Sequence, residues 1–182
     1  MAITLDGTSG ITTPGIVGNL SVSGNTTVGG TLTNTGLITA SAGVAIGGVV
    51  AANTLDDYEE GTFEVTAVPA TSGTATVNPS YNTLSYTKIG RLVTITGDIR
   101  ISSFSSAVGH LLLYGLPFTV ASLTDGAGRA FTATYFYQGT GGAVSAEILY
   151  VADGLTRLQI FKDTSTMTNN SEIGIAISYA SA

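Results

Sequence analysis

Leu55–Phe63 reads LDDYEEGTF, and the character of the chain changes across it. Asp56, Asp57, Glu59 and Glu60 surround one aromatic, Tyr58, and form the densest charge in the sequence. Upstream the chain is nearly uncharged and built from Gly, Thr, Ser, Ala, Val and Asn; downstream lie every Lys and Arg and long runs of alternating apolar residues. A composition shift across an acidic segment marks a boundary between two ways of folding. It divides the sequence into an attachment segment and repeat over 1–54, an acidic collar over 55–61 and a head over 62–182.

Working back from the collar, a six-residue beat runs through the upstream part. Gly18, Gly24, Gly30, Gly36 and Gly48 keep it, with Ala42 in the missing place. The second place after each holds Leu20, Thr26, Leu32, Ile38 and Val44, and the fourth holds Val22, Val28, Asn34, Ala40 and Ile46. Apolar places that alternate inside a unit closed by glycine describe a brief strand and a tight turn. Such a unit cannot bury its apolar side alone and must stack. Three chains wound round a shared core satisfy it best, because small residues let backbones approach closely. A single-chain left-handed β-helix has too few hexads to complete more than about two coils, and a flexible Gly/Thr linker is the remaining alternative. Residues 1–17 read as loop and short strand, and Val49–Thr54 as a turn that closes the shaft.

Working forward, alternation governs. Phe63–Val68 alternates up to Pro69, Thr74–Val77 is a weaker strand, and Tyr86–Ile89 leads through Gly90 into the clearest one. There Val93, Ile95, Ile99 and Ile101 share a face against Thr94, Thr96, Asp98 and Arg100, and Gly97 on the apolar face marks a bulge or a closely crossing neighbour. Leu111–Tyr114 and Phe118–Ala121 flank a turn at Gly115-Leu116-Pro117. Arg129–Gln138 puts Ala133, Tyr135 and Tyr137 on one face. Val144–Ala152 is almost continuously apolar, as a strand buried on both faces would be. Asp153-Gly154 turns into Thr156–Lys162. The last strand, Ile173–Tyr179, alternates Ile173, Ile175, Ile177 and Tyr179 with Gly174, Ala176 and Ser178. About eight strands with turns between them and no helical period predict an all-β chain with a jelly-roll-like, two-sheet β-sandwich head.

Composition sets the outer bounds. The chain has 182 residues, is 43% hydrophobic and only 10% charged, against about 25% charged for an average domain, so Thr, Ser, Asn, Gly or other copies of the chain must cover its surface. A net charge of −6 argues against nucleic-acid binding, which needs a basic face to displace phosphate counterions. No run is long and apolar enough for a secretory signal or a membrane helix, so no membrane insertion is expected. The absence of cysteine removes disulfides and thiol chemistry.

The chain resembles bacteriophage tail-fibre and related virion proteins. Four segments carry the resemblance, in order: LSVSGNTTVGGTLTNTG (Leu20–Gly36), LDDYEEGTF (Leu55–Phe63), SYTKIGRLVTITG (Ser85–Gly97) and GLPF (Gly115–Phe118). It implies a homotrimeric, non-enzymatic structural protein on the virion. Its N-terminal segment would contact other virion proteins and its head would be displayed outward for host attachment. A capsid-bound head fibre or decoration protein is the alternative, and a polysaccharide-degrading tailspike a more distant one. The resemblance carries over no catalytic residue and implies no cofactor.

The candidate sites are few. His110, the single histidine, has no spaced partner for base catalysis, though three copies about a trimer axis could ligate a metal. Asp56, Asp57, Glu59 and Glu60 could ligate Ca²⁺ but lack the EF-hand spacing; a solvated acidic ring is the simpler reading. Gly139–Gly142 lacks the Lys-Ser/Thr of a phosphate loop and reads as a hairpin turn. Tyr135, Phe136 and Tyr137 beside that turn are the candidate recognition surface for a host glycan or protein, against a reading in which alternate members pack inward.

Overall fold

The computed structural model describes residues 23–45, 54–55, 57–137 and 144–182. The expectations for 1–22, 46–53, Asp56 and the 139–142 turn lie outside the described residues. The chain divides into two units, residues 1–39 and 40–182, earlier than the 54/55 boundary that composition marks.

In the first unit, bends fall at 23–24, 29–30 and 35–36, one at each of three successive glycine beats. The stretches between them have no regular secondary structure, and every residue of 23–39 is exposed. A bend thus stands at each of these three beats, whereas the expected strand between them is not formed among the described residues. Val28, Leu32 and Ile38 are exposed, and Leu37 is 93% exposed. A Cβ added at Gly24, Gly29, Gly30 or Gly36 would meet nothing within 4 Å. Asn34 Nδ2 donates to the Gly36 carbonyl at 2.7 Å, a local turn contact.

The second unit is almost wholly antiparallel β-structure. Val44–Ala45 (β1) and Thr54–Leu55 (β2) form a short ladder, Val44 opposite Leu55. The other ten strands are Tyr58–Glu64 (β3), Thr66–Pro69 (β4), Ser72–Val77 (β5), Thr83–Ile89 (β6), Leu92–Val108 (β7), His110–Tyr114 (β8), Ala130–Tyr137 (β9), Val144–Val151 (β10), Arg157–Asp163 (β11) and Ser171–Ala180 (β12). They join in one sheet in the order β3-β6-β7-β12-β9-β10-β11-β8-β4, with β5 on the second half of the long β7. The all-β class is as the sequence indicates. The two layers of the expected sandwich are two halves of one hydrogen-bonded sheet.

That sheet closes on itself. β3 and β4 stand at opposite ends of the strand order but are separated in sequence by Val65 alone. One kinked strand thus bonds β6 through its first half and β8 through its second. At the kink Val65 is buried and its N–H donates to the Asn82 carbonyl at 2.7 Å. Gly115 passes so close that a Cβ there would lie 2.3 Å from the Glu64 carbonyl oxygen, and its φ of +116° suits glycine alone. Pro69 ends β4 inside the ladder opposite Leu111, tolerated at the terminus of a short strand.

Period-two alternation fills the interior. β7 sends Val93, Ile95, Ile99 and Ile101 inward, and β12 sends Ile173, Ile175, Ile177 and Tyr179 to meet them in register, Ile173 opposite Ile99 and Ile177 opposite Ile95. Leu84, Leu111, Leu113, Phe136, Leu149, Leu158 and Ile160 complete the core. Burying side chains of this size stabilises by roughly 1.5–3 kcal/mol each relative to exposure. At Gly97 the β7–β12 register runs on unbroken opposite Ile175. The missing side chain there makes room for Leu84, whose Cδ2 would be 2.8 Å from an added Cβ; the crossing neighbour, not a bulge, explains the glycine. Phe118–Ala121, expected as a strand, contributes one isolated bridge, Val120 to Ser181. Among the described residues no helix is long and apolar enough to cross a membrane.

Candidate functional site

The acidic collar is part of the head. Residues 58–60 begin β3, and strand alternation divides their side chains between two faces. Glu59, opposite Lys88, and Phe63, opposite Leu84, share the inward parity, while Tyr58 and Glu60 share the other. Asp57 forms an ion pair with the buried Lys88, whose ammonium also sits 5.3 Å from the Phe118 ring centroid. Tyr86 Oη donates to Glu59 Oε1 at 2.6 Å and Tyr58 Oη to Glu60 Oε2 at 2.8 Å. Those bonds to carboxylates hold both phenols above their ordinary pKa. The described acidic side chains stay solvent-accessible, as the sequence reading expects, and each also has a partner: Lys88 for Asp57, Tyr86 for Glu59 and Tyr58 for Glu60. Gly61 belongs to the same arrangement, since an added Cβ would press on the Tyr86 ring at 3.0 Å.

His110 opens β8. Its ring meets the edge of Phe161 at 5.0 Å and 62°, and its Nδ1 is buried with no hydrogen-bond partner. Asp163, opposite it in the ladder, accepts from the backbone N–H of Ser165 at 2.9 Å, which holds its carboxyl below the ordinary range.

The Tyr135–Tyr137 run separates by parity. Tyr135 is half exposed and lies over Gly174, where an added Cβ would come within 3.4 Å of the Tyr135 Cβ. Phe136 is 0% exposed and packs in the core, so it belongs to no surface, because alternate residues of a strand point to opposite sides. The Lys162 ammonium sits 4.9 Å from its ring centroid and pairs with Glu147 at 2.6 Å. Tyr137 is half-buried opposite Val144.

A different surface emerges from the same strand. Phe131 shares the outward parity of Ala133 and Tyr135 and is 64% exposed. Across the ladder it faces Tyr150, and the rings stack at 4.7 Å and 23°. Tyr150 continues to Phe161 at 5.7 Å, and Phe161 to His110. Four adjacent strands, β9, β10, β11 and β8, thus carry one continuous aromatic row on the outside. Ile148 and Val144 of β10 are exposed on the same side. The sequence reading of 144–152 as buried on both faces is corrected: Leu149 and Val151 face the core, whereas Val144, Ile148 and Tyr150 face outward. Parity with Tyr135 was the signal for Phe131. Apolar residues on an outward face look like core in sequence, and this hid the rest.

Beside Phe131 the sheet opens. The β12–β9 ladder runs from Glu172 opposite Tyr137 to Gly174 opposite Tyr135 and stops there. The next residue of β9, Thr134, is buried and turns its hydroxyl to donate to the Gly174 carbonyl. Beyond it lies a depression of about 330 Å³ lined by Thr94, Thr96, Phe131, Thr132, Ala176, Ile177 and Ser178. Among the described residues no ionisable side chain lines it. The Thr94 and Ser178 hydroxyls lie 2.8 Å apart across the β7–β12 ladder and share a hydrogen bond.

No protein-family model matches the chain, and no curated protein matches its sequence. Among solved structures it is similar to the Dettilon tailspike protein (gp208), at 18% identity and a TM-score of 0.43, over 68% of this chain and 24% of that one. The chain thus corresponds to less than two thirds of that tailspike's length, and a likeness of this degree carries no argument about function.

Proposed function

We propose that the chain is a non-enzymatic structural protein of a bacteriophage particle: a fibre-like homotrimer whose hexad repeats wind together and whose β unit attaches to a host surface. The observation that carries this reading is the contrast inside the hexads. Their bends keep the six-residue beat, yet Val28, Leu32, Leu37 and Ile38 are exposed, and the stretches between the bends pair with no strand among the described residues. A periodic apolar array without an in-chain partner is what a stack shared between chains requires. The four sequence segments resembling tail-fibre proteins support a virion setting. In that setting the residues before the repeat contact other virion proteins, by which the particle carries the fibre.

The β unit supports a binding role over a catalytic one. Asp57, Glu59 and Glu60 are engaged by Lys88, Tyr86 and Tyr58, and His110 faces a phenylalanine. None of them is placed as a base beside a nucleophile. The aromatic row offers exposed rings instead, at Phe131 and Phe161.

Solution mass by light scattering tests the reading, on the full chain beside a chain beginning at Ala40. A full-length trimer that becomes a monomer without residues 1–39, which hold the beats from Gly18 to Gly36, agrees with it. A full-length monomer overturns the shared shaft.

A further inference from the structure

We infer that the wedge between β9 and β12 binds an uncharged pyranose sugar, with Phe131 as its stacking platform. The inference deepens the reading of the β unit as the attachment part and names the ligand class. Three features converge. Phe131 is solvent-exposed and borders the depression, while Tyr150 stacked at 4.7 Å fixes its orientation, so that little side-chain entropy is lost on contact. Thr96, Thr132 and the hydrogen-bonded Thr94–Ser178 pair line the same space; the Thr132 hydroxyl donates to the Ala133 carbonyl at 3.4 Å and keeps its acceptor capacity, while Thr96 and the pair retain both donor and acceptor capacity. A pyranose has the matching chemistry, with an apolar C–H face to lay on the ring and hydroxyls at its edge. The absence of ionisable side chains from the lining selects a neutral sugar, because a sugar carboxylate would be desolvated there without a cation.

Size and origin agree. The volume of about 330 Å³ lies at the small end of ligand sites, roughly 300–1,000 Å³, suited to a terminal residue more than to a long oligosaccharide. The wedge exists because Thr134 ends the β12–β9 ladder.

The test is saturation-transfer NMR with titration on the full chain, using methyl glucopyranoside, methyl galactopyranoside, methyl mannopyranoside and N-acetylglucosamine, against glucuronic acid and N-acetylneuraminic acid. Saturable binding of at least one neutral sugar is expected, with Kd on the order of millimolar. Phe131→Ala and the space-filling Ala176→Gln should each weaken it by about tenfold or more, while Phe131→Trp and the remote Tyr58→Phe retain it. Both altered positions are exposed, and circular dichroism verifies folding. No binding by the neutral sugars, equal binding of the charged ones, or undiminished affinity in Phe131→Ala overturns the inference. A lower solution mass for Phe131→Ala also overturns it, by making this face a contact between copies. A trimer that binds no sugar leaves the fibre reading standing and removes this one; a monomer with Phe131-dependent binding does the reverse.

Discussion

Residues 23–39 and the β unit use the same kind of apolar side chain in opposite ways. In the β unit, alternation places Ile95, Ile99, Ile173 and Ile177 inside a closed sheet, where one chain provides every neighbour. In the repeat, a six-residue beat recurs, but the four residues between bends are too few to fold back on themselves, and Leu32, Leu37 and Ile38 are left outside. The difference teaches that periodicity sets which residues share a face, while unit length decides whether one chain can cover that face.

The comparison can be broken by substitution. Phe136→Ala should cost the β unit about 3–5 kcal/mol, read as a lower denaturant midpoint. Leu37→Ala should leave that midpoint within about 0.5 kcal/mol and act on solution mass instead. Equal effects on the midpoint would mean that the repeat shares the core. Gly115→Ala should cost roughly 1–3 kcal/mol, since its φ is positive and the Glu64 carbonyl occupies the space of a Cβ; an unchanged midpoint would show that the sheet does not depend on close approach at that point.

Two titrations sharpen the comparison further, because the groups concerned lie in the β unit. Burial, partly offset by its hydrogen bond to the Phe118 carbonyl at 2.9 Å, pushes the Tyr179 phenol up to about 12 from an ordinary 10.0. A raised folded-state pKa stabilises below the unfolded value and ceases to do so as pH climbs through the folded one. Stability should therefore fall between about pH 10 and 12, and Tyr179→Phe should flatten that limb while losing about 1 kcal/mol at neutral pH. A limb unchanged in Tyr179→Phe would place its origin elsewhere. For Glu147, burial acts to raise the carboxyl pKa, but hydrogen bonds from Lys162 and Ser145 outweigh it and the net direction is down. Its stabilising contribution is present above an ordinary carboxyl pKa of 4.5 and is lost as pH falls through the lower folded value. Glu147→Gln should flatten the acid limb of a stability–pH curve, the smallest effect of the set. An identical slope would show that the Lys162 pair does not form in solution.

Much of the fold was legible because alternation is local. The first half of β7, to Ile101, and most of β12 could be read residue by residue, down to Ser178 facing out beside Tyr179 facing in, whereas the continuation of β7 to Val108 could not. β3 was harder: charge density in LDDYEEGTF concealed a strand, although Glu59 and Phe63 share one parity and Tyr58 and Glu60 the other. The candidate surface was half legible. Parity could connect Phe131 to Tyr135, but their partner Tyr150 lies on another strand, and only the register brings them together. The wedge depends on where the β12–β9 ladder ends, which is set by Thr134 reaching a carbonyl 40 positions along the chain, and no local pattern reports that.

The kink at Val65 has a mechanical meaning. The strand that closes the sheet is also the first long strand after the repeats, so tension drawn through the N-terminal chain, once past the β1–β2 ladder, reaches the large sheet at β3 and passes through Val65 into β4. Forced extension therefore loads the closure before it loads β7 or β12. The first rupture should release Tyr58–Pro69 as one piece and open the layer along its full length. Gly115 and the Val65–Asn82 hydrogen bond stand at the midpoint of that line of force.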